Sequence, residues 1–239
     1  MQPIDARRRD VVLAIAGLLA GCTGGPGGIV GEPGPPVPAP DVRVGDRWVY
    51  HCVDGFRLAD IWDETHEVIA AGPQGITVRV TCKGPNTDIV RTEDWVSPGV
   101  VRVGSVMDIE TRRFTTPLQR YRFPLAPGTT WSQYVDNYNE FAKKAGQFNY
   151  FARVGGWKSI TVGAGTFDAI FVNVLMRMDD EEFWRWPTEC NYALWYAPAV
   201  GAMIQESKEA QYTEKSGPDP IAVRTQHSTI SLTSYSRVR

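Results

Sequence analysis

The sequence predicts an all-β fold, built as an antiparallel, strongly curved sheet or an open barrel. Beyond residue 40, short runs rich in Val, Ile, Thr, Tyr, Phe and Trp recur along the chain, and turn residues bound them. Apolar and polar residues alternate within several runs, which is typical of strands with one buried face and one wetted face. No segment has the periodicity of an amphipathic helix of three turns.

Individual strands follow from this pattern. The clearest alternation places Ile76, Val78 and Val80 on one face of a strand. The segment Asn139–Gly146 is the one candidate for a short helix, of one or two turns. The predicted strands are Arg47–Cys52, Ile76–Cys82, Val100–Val106, Arg120–Leu125, Phe167–Met178, Tyr192–Tyr196, Ala202–Ser207 and Gln226–Tyr235.

Two repeated motifs indicate that the sheet consists of two similar β-units. Gly45–Trp48 (GDRW) recurs as Gly128–Trp131 (GTTW), and Trp95–Val100 (WVSPGV) recurs as Trp195–Val200 (WYAPAV). The offsets are 83 and 100 residues, so a duplication would require insertions in the second copy. Chance similarity is the alternative for matches this short.

Residues 1–21 have the features of a cleaved secretory signal peptide. Arg7, Arg8 and Arg9 form a basic region, and an uncharged run of 11 residues follows them from Val11 to Gly21. That run is too short for a permanent membrane span, which takes ~20 residues. The sequence therefore predicts export.

The end of this segment, Leu19–Cys22 (LAGC), resembles the lipobox of bacterial lipoproteins. The resemblance implies that Cys22 is acylated and becomes the first residue of the mature chain, anchored to a membrane through its lipid. Thr23 follows where an Asp would resemble an inner-membrane retention signal. The implied location is the cell envelope, at the periplasmic face of the outer membrane.

A tether is predicted between the lipid and the folded domain. Positions 23–40 hold 6 Gly and 6 Pro. This composition cannot bury a core, so residues 22–40 are predicted to form a flexible to semi-extended segment. Residues 41–239 then form a single β-domain, long enough for one substantial core.

Cysteines other than Cys22 suggest one disulfide, because an oxidising compartment favours such bonds. Cys52 and Cys82 are the candidate pair, since each lies where a predicted strand meets a turn at the same end of a meander. Alternate strands lie ~9.5 Å apart, so the bond requires the strand ends to curl inward.

Four motifs resemble the TapB-like and related exported β-domains of bacteria, which have no assigned function. They occur in the expected order, with Gly163 in place of the Pro that usually precedes Ala-Gly-Thr-Phe in such domains. The resemblance implies an open, strongly curved antiparallel sheet and no particular chemistry. The motifs are Gly45–Tyr50, Phe123–Trp131, Val162–Ala169 and Trp195–Gly201.

The sequence contains no recognisable motif for catalysis, metal binding or cofactor binding. The chain has three histidines, and neither Gly-x-Ser-x-Gly nor Ser-x-x-Lys occurs. We therefore predict a non-enzymatic protein with no catalytic residue, metal site or cofactor. Asp63–Glu67 (DETHE) is predicted to be a solvated polar strand rather than a metal site. A net charge of −2 and a pI near 6.0 give no basic field for nucleic acid.

Aromatic residues are the remaining functional lead. Phe183, Trp184 and Trp186 follow four acidic residues and are predicted to lie on a loop as an interaction surface. A larger group is more typical of a β-core: Tyr134, Tyr138, Phe141, Phe148, Tyr150, Phe151 and Trp157.

Two functions from different classes remain open. The first is an envelope lipoprotein that contacts a protein partner. The second is a carrier that holds a lipid or another apolar ligand in the curved sheet, which requires an apolar cavity of ~300–1,000 Å³.

Overall fold

The computed structural model describes residues 30–55, 59–107, 109–179, 183–215 and 221–238. The regular structure within these ranges is β throughout, and no helix among them is long and apolar enough to cross a membrane. The predicted signal peptide and Cys22 lie outside the described residues.

Twelve antiparallel strands form a closed barrel. Each strand pairs with the next one along the chain, and β12 pairs with β1 to complete the ring. The all-β, antiparallel prediction is confirmed, and the sheet is closed rather than open. The strands are β1 Arg47–Asp54, β2 Asp60–Gly72, β3 Gly75–Lys83, β4 Asp88–Ser97, β5 Val100–Gly104, β6 Arg112–Gln119, β7 Thr130–Asn139, β8 Lys144–Val162, β9 Gly165–Asp179, β10 Thr188–Ala197, β11 Ala202–Thr213 and β12 Ala222–Ser236.

Two local predictions were wrong. The predicted strand Arg120–Leu125 is the connection between β6 and β7. The predicted helical turns at Asn139–Gly146 are the hairpin between β7 and β8. There the side-chain oxygen of Asn139 accepts hydrogen bonds from the backbone N–H groups of Phe141 (2.9 Å) and Ala142 (3.0 Å), which closes a turn instead of a helix.

The repeated motifs occupy equivalent places six strands apart. The first pair leads into β1 and β7: each motif starts just before its strand and ends within it. The second pair forms the β4–β5 and β10–β11 turns. The Trp48 indole donates to the Val200 carbonyl (3.1 Å), and the Trp131 indole donates to the Gln119 carbonyl (2.8 Å). Each indole thus connects its own six strands to the other six. This arrangement supports two β-units, β1–β6 and β7–β12.

Residues 30–40, which we call the strap, pack against one end of the barrel. Glu32 exchanges two backbone hydrogen bonds with Trp157 (2.8 and 2.7 Å), and Val37 exchanges two with Leu125 (both 2.8 Å). Gly156 permits this approach, because a Cβ at that position would lie 2.4 Å from the Glu32 carbonyl oxygen. The strap, predicted as part of a flexible to semi-extended tether, is thus an extended segment held against the barrel, so packing against the β-domain begins before residue 41.

The two ends of the barrel differ. The strap end carries the start of β1, the end of β12 and the turns that follow β2, β4, β6, β8 and β10. The far end carries the connections that follow β1, β3, β5, β7, β9 and β11. Between the ends, two clusters of buried apolar side chains fill the interior, including Phe148, Ile170, Met178, Ile204 and Leu232.

Candidate functional site

A network of charged side chains crosses the barrel interior. Arg91 on β4 donates to Glu64 on β2 (Nη2–Oε1 3.0 Å) and to Glu93 on its own strand (Nη1–Oε1 2.7 Å). Arg120, just after β6, donates to the second oxygen of Glu93 (3.1 Å). Because β-strand side chains alternate between faces, Arg91 and Glu93 both point inward. The network joins β2, β4 and the connection from β6 to β7.

Both acids in this network remain ionised. Burial alone would raise the pKa of Glu93, but the charges of Arg120 and Arg91 outweigh burial and hold that pKa well below its usual range. Burial likewise opposes ionisation of Glu64, while a hydrogen bond from His66 (2.6 Å) and the charge of Arg91 lower its pKa. Each carboxylate is therefore stabilised as an anion by partners inside the barrel.

The interior charges also balance. Besides the residues above, Lys208 lies 3.3 Å from Glu206, so three acids face three permanent cations. A balanced network provides no excess charge with which to recruit an ion. Among the described residues, no group of three or more His, Cys, Asp or Glu side chains has the geometry of a metal site. The network is therefore best explained as structural.

The prediction of a solvated strand at Asp63–Glu67 was wrong for its inward face. Glu64 is buried and His66 is largely covered, because both point into the barrel towards Arg91 and Tyr50. On the outward face Asp63 is exposed, as predicted, and pairs with His51 (3.0 Å), while Thr65 and Glu67 are partly covered.

The predicted disulfide between Cys52 and Cys82 is not formed, and both residues are free, buried thiols. Cys52 lies on β1 and Cys82 on β3, with β2 between them, and the Cys82 thiol donates to Glu64 of that middle strand (3.4 Å). Burial, reinforced by the charge of Glu64, raises the pKa of Cys82 to about 12. A thiol in this state is a poor nucleophile.

Two adjoining cavities remain inside the barrel. The outer one lies at the strap end and is lined mainly by aromatic side chains, among them Trp48, Trp95 and Tyr196. The inner one is lined by the charged network. Each has a volume of about 100 Å³, below the ~300–1,000 Å³ typical of ligand pockets. The interior described here is thus filled by its own side chains, which argues against a carrier of lipids.

The predicted interaction surface lies at the far end, on the connection from β9 to β10. The exposed fractions are 87% for Phe183, 40% for Trp184 and 54% for Trp186. A role for these residues in binding stays a prediction, but they are accessible to a partner.

This aromatic segment is held firmly against the end of β11. The backbone N–H of Trp186 donates to the Thr213 carbonyl (2.8 Å), and that of Lys215 donates to the Trp184 carbonyl (2.9 Å). The Trp184 ring packs edge-on against Tyr212, with ring centroids 5.4 Å apart. The Lys215 ammonium lies 4.8 Å from the centre of the Trp186 ring. The Trp184 and Trp186 rings are therefore preorganised by contacts behind them.

A groove on the outer wall extends from this segment to β7. It consists of two depressions of about 350 and 190 Å³ that share Arg177, Asp179 and Pro187. Tyr134 is opposite Asn149, which in turn is opposite Arg177, so three neighbouring strands form its floor. We call this feature the aromatic groove; its lining includes Tyr134, Gln147, Asn149, Arg177, Asp179, Phe183, Trp186, Pro187 and Lys215.

The sequence did not reveal most of this groove. Tyr134 was assigned to the core, together with Phe148 and Tyr150. The structure buries the latter two and exposes Tyr134. Period-two alternation along β7 was the available signal, because it places Tyr134 on the face opposite Trp131 and Val135.

Comparison with solved structures shows what this barrel resembles. A protein of Bacteroides fragilis, assigned as exported and as having a YmcC-like fold, matches with a TM-score of 0.51 at 12% identity, over 85% of this chain and 100% of that one. The chain has a YmcC-like fold. A protein of Parabacteroides distasonis assigned as a lipoprotein matches with a TM-score of 0.50 at 14% identity, again over 85% and 100% of the two chains.

At these identities the likeness to the YmcC-like structures concerns the fold alone. No protein-family model and no curated protein matches the chain. The resemblance to TapB-like domains therefore stays a prediction.

Proposed function

We propose that this chain is an exported lipoprotein of the cell envelope, anchored through Cys22 at the periplasmic face of the outer membrane, whose barrel is a non-enzymatic binding module. The observation that carries the proposal is the exposed aromatic segment at the end opposite the strap, in which contacts with β11 and Lys215 hold Trp186 in place. The assignment of one structural neighbour as exported and of the other as a lipoprotein supports the location.

The length of the chain before the strap supports an orientation in which the aromatic segment is directed away from the anchoring membrane. Cys22 and Val30 are eight residues apart, which limits their separation to about 26–29 Å. The strap begins beside Trp157, and Lys144 at the far end of β8 is 13 residues away. For strands tilted by 35–45°, this corresponds to roughly 30–35 Å along the barrel axis. A lipid on Cys22 would thus keep the far end off its own membrane.

Photo-crosslinking in the native envelope tests the binding role. A benzophenone amino acid at position 186 is expected to form a covalent adduct with the bound envelope component, because the side chain there is exposed and rigidly positioned. The matched control is position 90, where Val90 is 64% exposed on β4, on the opposite side of the barrel. Absence of an adduct at both 183 and 186, or equal adducts from position 90, would contradict the proposal.

Substitution of the lipidation site tests the anchor. Cys22→Ser is expected to abolish incorporation of labelled fatty acid and to move the protein from the membrane fraction to the soluble fraction, because the acyl chains supply the membrane affinity. Labelling and fractionation of the variant measure this, with Cys82→Ser as a control that leaves both unchanged. Retained labelling and membrane association in Cys22→Ser would refute lipidation at this residue.

A further inference from the structure

We propose that the ligand of the aromatic groove is a neutral oligosaccharide, an inference that rests on the binding role proposed above and specifies its chemistry. The groove combines exposed aromatic rings with polar side chains between them, on a wall that offers no main-chain pairing. Each of these three features bears on the class of ligand.

The closed barrel excludes one common way of binding a peptide. Extended peptides bind many β-proteins by adding a strand to a free sheet edge. In the described structure β8 and β9, on the groove floor, pair with neighbours on both sides. β7 pairs with β6 only over Asn137–Asn139, and beyond that stretch the Gln133 side chain bonds to the Gln119 N–H and the Pro117 carbonyl (both 2.9 Å), so side-chain bonds to β6 cover this edge. A ligand must therefore be recognised by side chains alone.

The order of side chains along the groove favours a sugar over an apolar protein surface. Tyr134 at one end is 61% exposed, and Trp186 and Phe183 lie at the other end. Asn149 and Arg177 lie between them, so the rings do not join into one apolar patch. The buried core of a protein interface is more apolar than the surrounding surface and is depleted in charged residues. A saccharide instead presents apolar C–H faces that stack on rings, bordered by hydroxyl groups that bond to polar side chains.

The polar side chains in the middle of the groove are available for a ligand. Among the described residues, Arg177 and Asn149 have no hydrogen-bond or ion-pair partner for their side chains. Arg177 supplies donors only, while the Asn149 amide supplies both donors and an acceptor. This combination matches sugar hydroxyls, which also donate and accept.

Charge does not favour an ionic ligand. Arg177, Arg185 and Lys215 contribute positive charge to the groove, and Asp179 contributes negative charge. Arg185 donates to Thr188 (2.6 Å) and lies over the Tyr212 ring, and Lys215 lies over the Trp186 ring, so two of the three cations already have partners. Because both signs are present, recognition is expected to depend on stacking and hydrogen bonds, and hence only weakly on salt.

Titration calorimetry of the full-length lipoprotein in a non-glycosidic detergent tests the inference. The probes are cellotetraose, maltotetraose and chitotetraose, all neutral. At least one is expected to bind, and Trp186→Ala is expected to weaken that binding roughly tenfold, the scale of losing one stacked ring. Trp186→Phe keeps a ring and should retain most of the affinity, and Val90→Ala should change nothing. Between 50 and 500 mM NaCl, the affinity should change less than about twofold.

Failure of this inference can be distinguished from failure of the proposed function. If no probe binds and the adduct at position 186 contains a peptide, the groove binds a protein, and the inference is overturned while the binding module stands. Binding that Trp186→Ala leaves unchanged also overturns it, because the sugar then lies elsewhere. If no probe binds and no adduct forms at 183 or 186, both proposals are overturned.

Discussion

Arg91→Ala is expected to lower the free energy of unfolding of the barrel by about 3–5 kcal/mol, the range for removing one partner from a buried ion pair. Arg91 bonds to both Glu64 and Glu93, which are 9% and 1% exposed in their side chains. Without the guanidinium, Glu64 retains His66 as its charged or hydrogen-bonding partner, and Glu93 retains Arg120. Each carboxylate would then have lost one cationic partner in an interior that solvates charge poorly.

Urea unfolding followed by circular dichroism measures this loss, and the chain offers a matched control. Arg79 on β3 forms an ion pair of similar length with Glu67 (2.6 Å), but both side chains are substantially exposed. Arg79→Ala should therefore lower the free energy of unfolding by no more than about 1 kcal/mol. Similar losses in the two variants would show that the interior network does not stabilise the fold as we infer.

Several strands with apolar inward residues were predicted, although β7 and β8, which also bury apolar side chains, were missed. β3 and β9 were recognised because Val78 and Val80, or Val172 and Val174, mark the buried face. β4 was missed, and the inward face of β2 was predicted to be solvated, because inward positions carry Glu64, Arg91 and Glu93, which in a single sequence resemble a solvated face. The partners that make these charges acceptable lie on other strands. Their burial follows from tertiary pairing and not from local pattern.

Closure of the sheet into a barrel could not be predicted from local sequence patterns either. The pairing of β1 with β12 joins Arg47 to Ser236 and Asp54 to Ser228, almost the full length of the domain apart. The sequence of neither strand identifies the other as its pairing partner. The same applies to the strap. Glu32 can bond to Trp157, in the space that Gly156 leaves, only when β8 is already in place in the barrel.

The candidate site was predictable in one part only. Phe183, Trp184 and Trp186 were found because an acidic run precedes them, and such a run indicates a solvated loop. Tyr134 and Arg177 lie on strands two apart, and they line one groove only because β8 pairs with both β7 and β9. A register shift of one residue would turn both side chains to the opposite face, so the groove depends on pairing that the sequence does not state.

Acidification is expected to destabilise the barrel below about pH 4.5, and Glu93 provides the test. The pKa of Glu93 and that of Glu64 are depressed in the folded state from an ordinary value of 4.5. The folded state therefore binds fewer protons than the unfolded state over this range. The stabilisation is fully present above about pH 4.5 and is lost progressively as pH falls towards the folded-state pKa values, at about 1.4 kcal/mol for each unit of depression.

Urea midpoints at pH 7, 5, 4 and 3 measure this loss, and Glu93→Gln separates its source. The variant should be less stable than the wild-type protein at pH 7, because Arg91 and Arg120 lose a shared anion. Its stability should then fall less steeply below pH 4.5, since one of the two depressed carboxyls has been removed. Glu67→Gln, on the exposed Arg79 pair, should retain the wild-type slope. An equally steep fall in Glu93→Gln would mean that other carboxyls govern the acid sensitivity. The inference that the interior network causes the acid sensitivity of the fold would then be wrong.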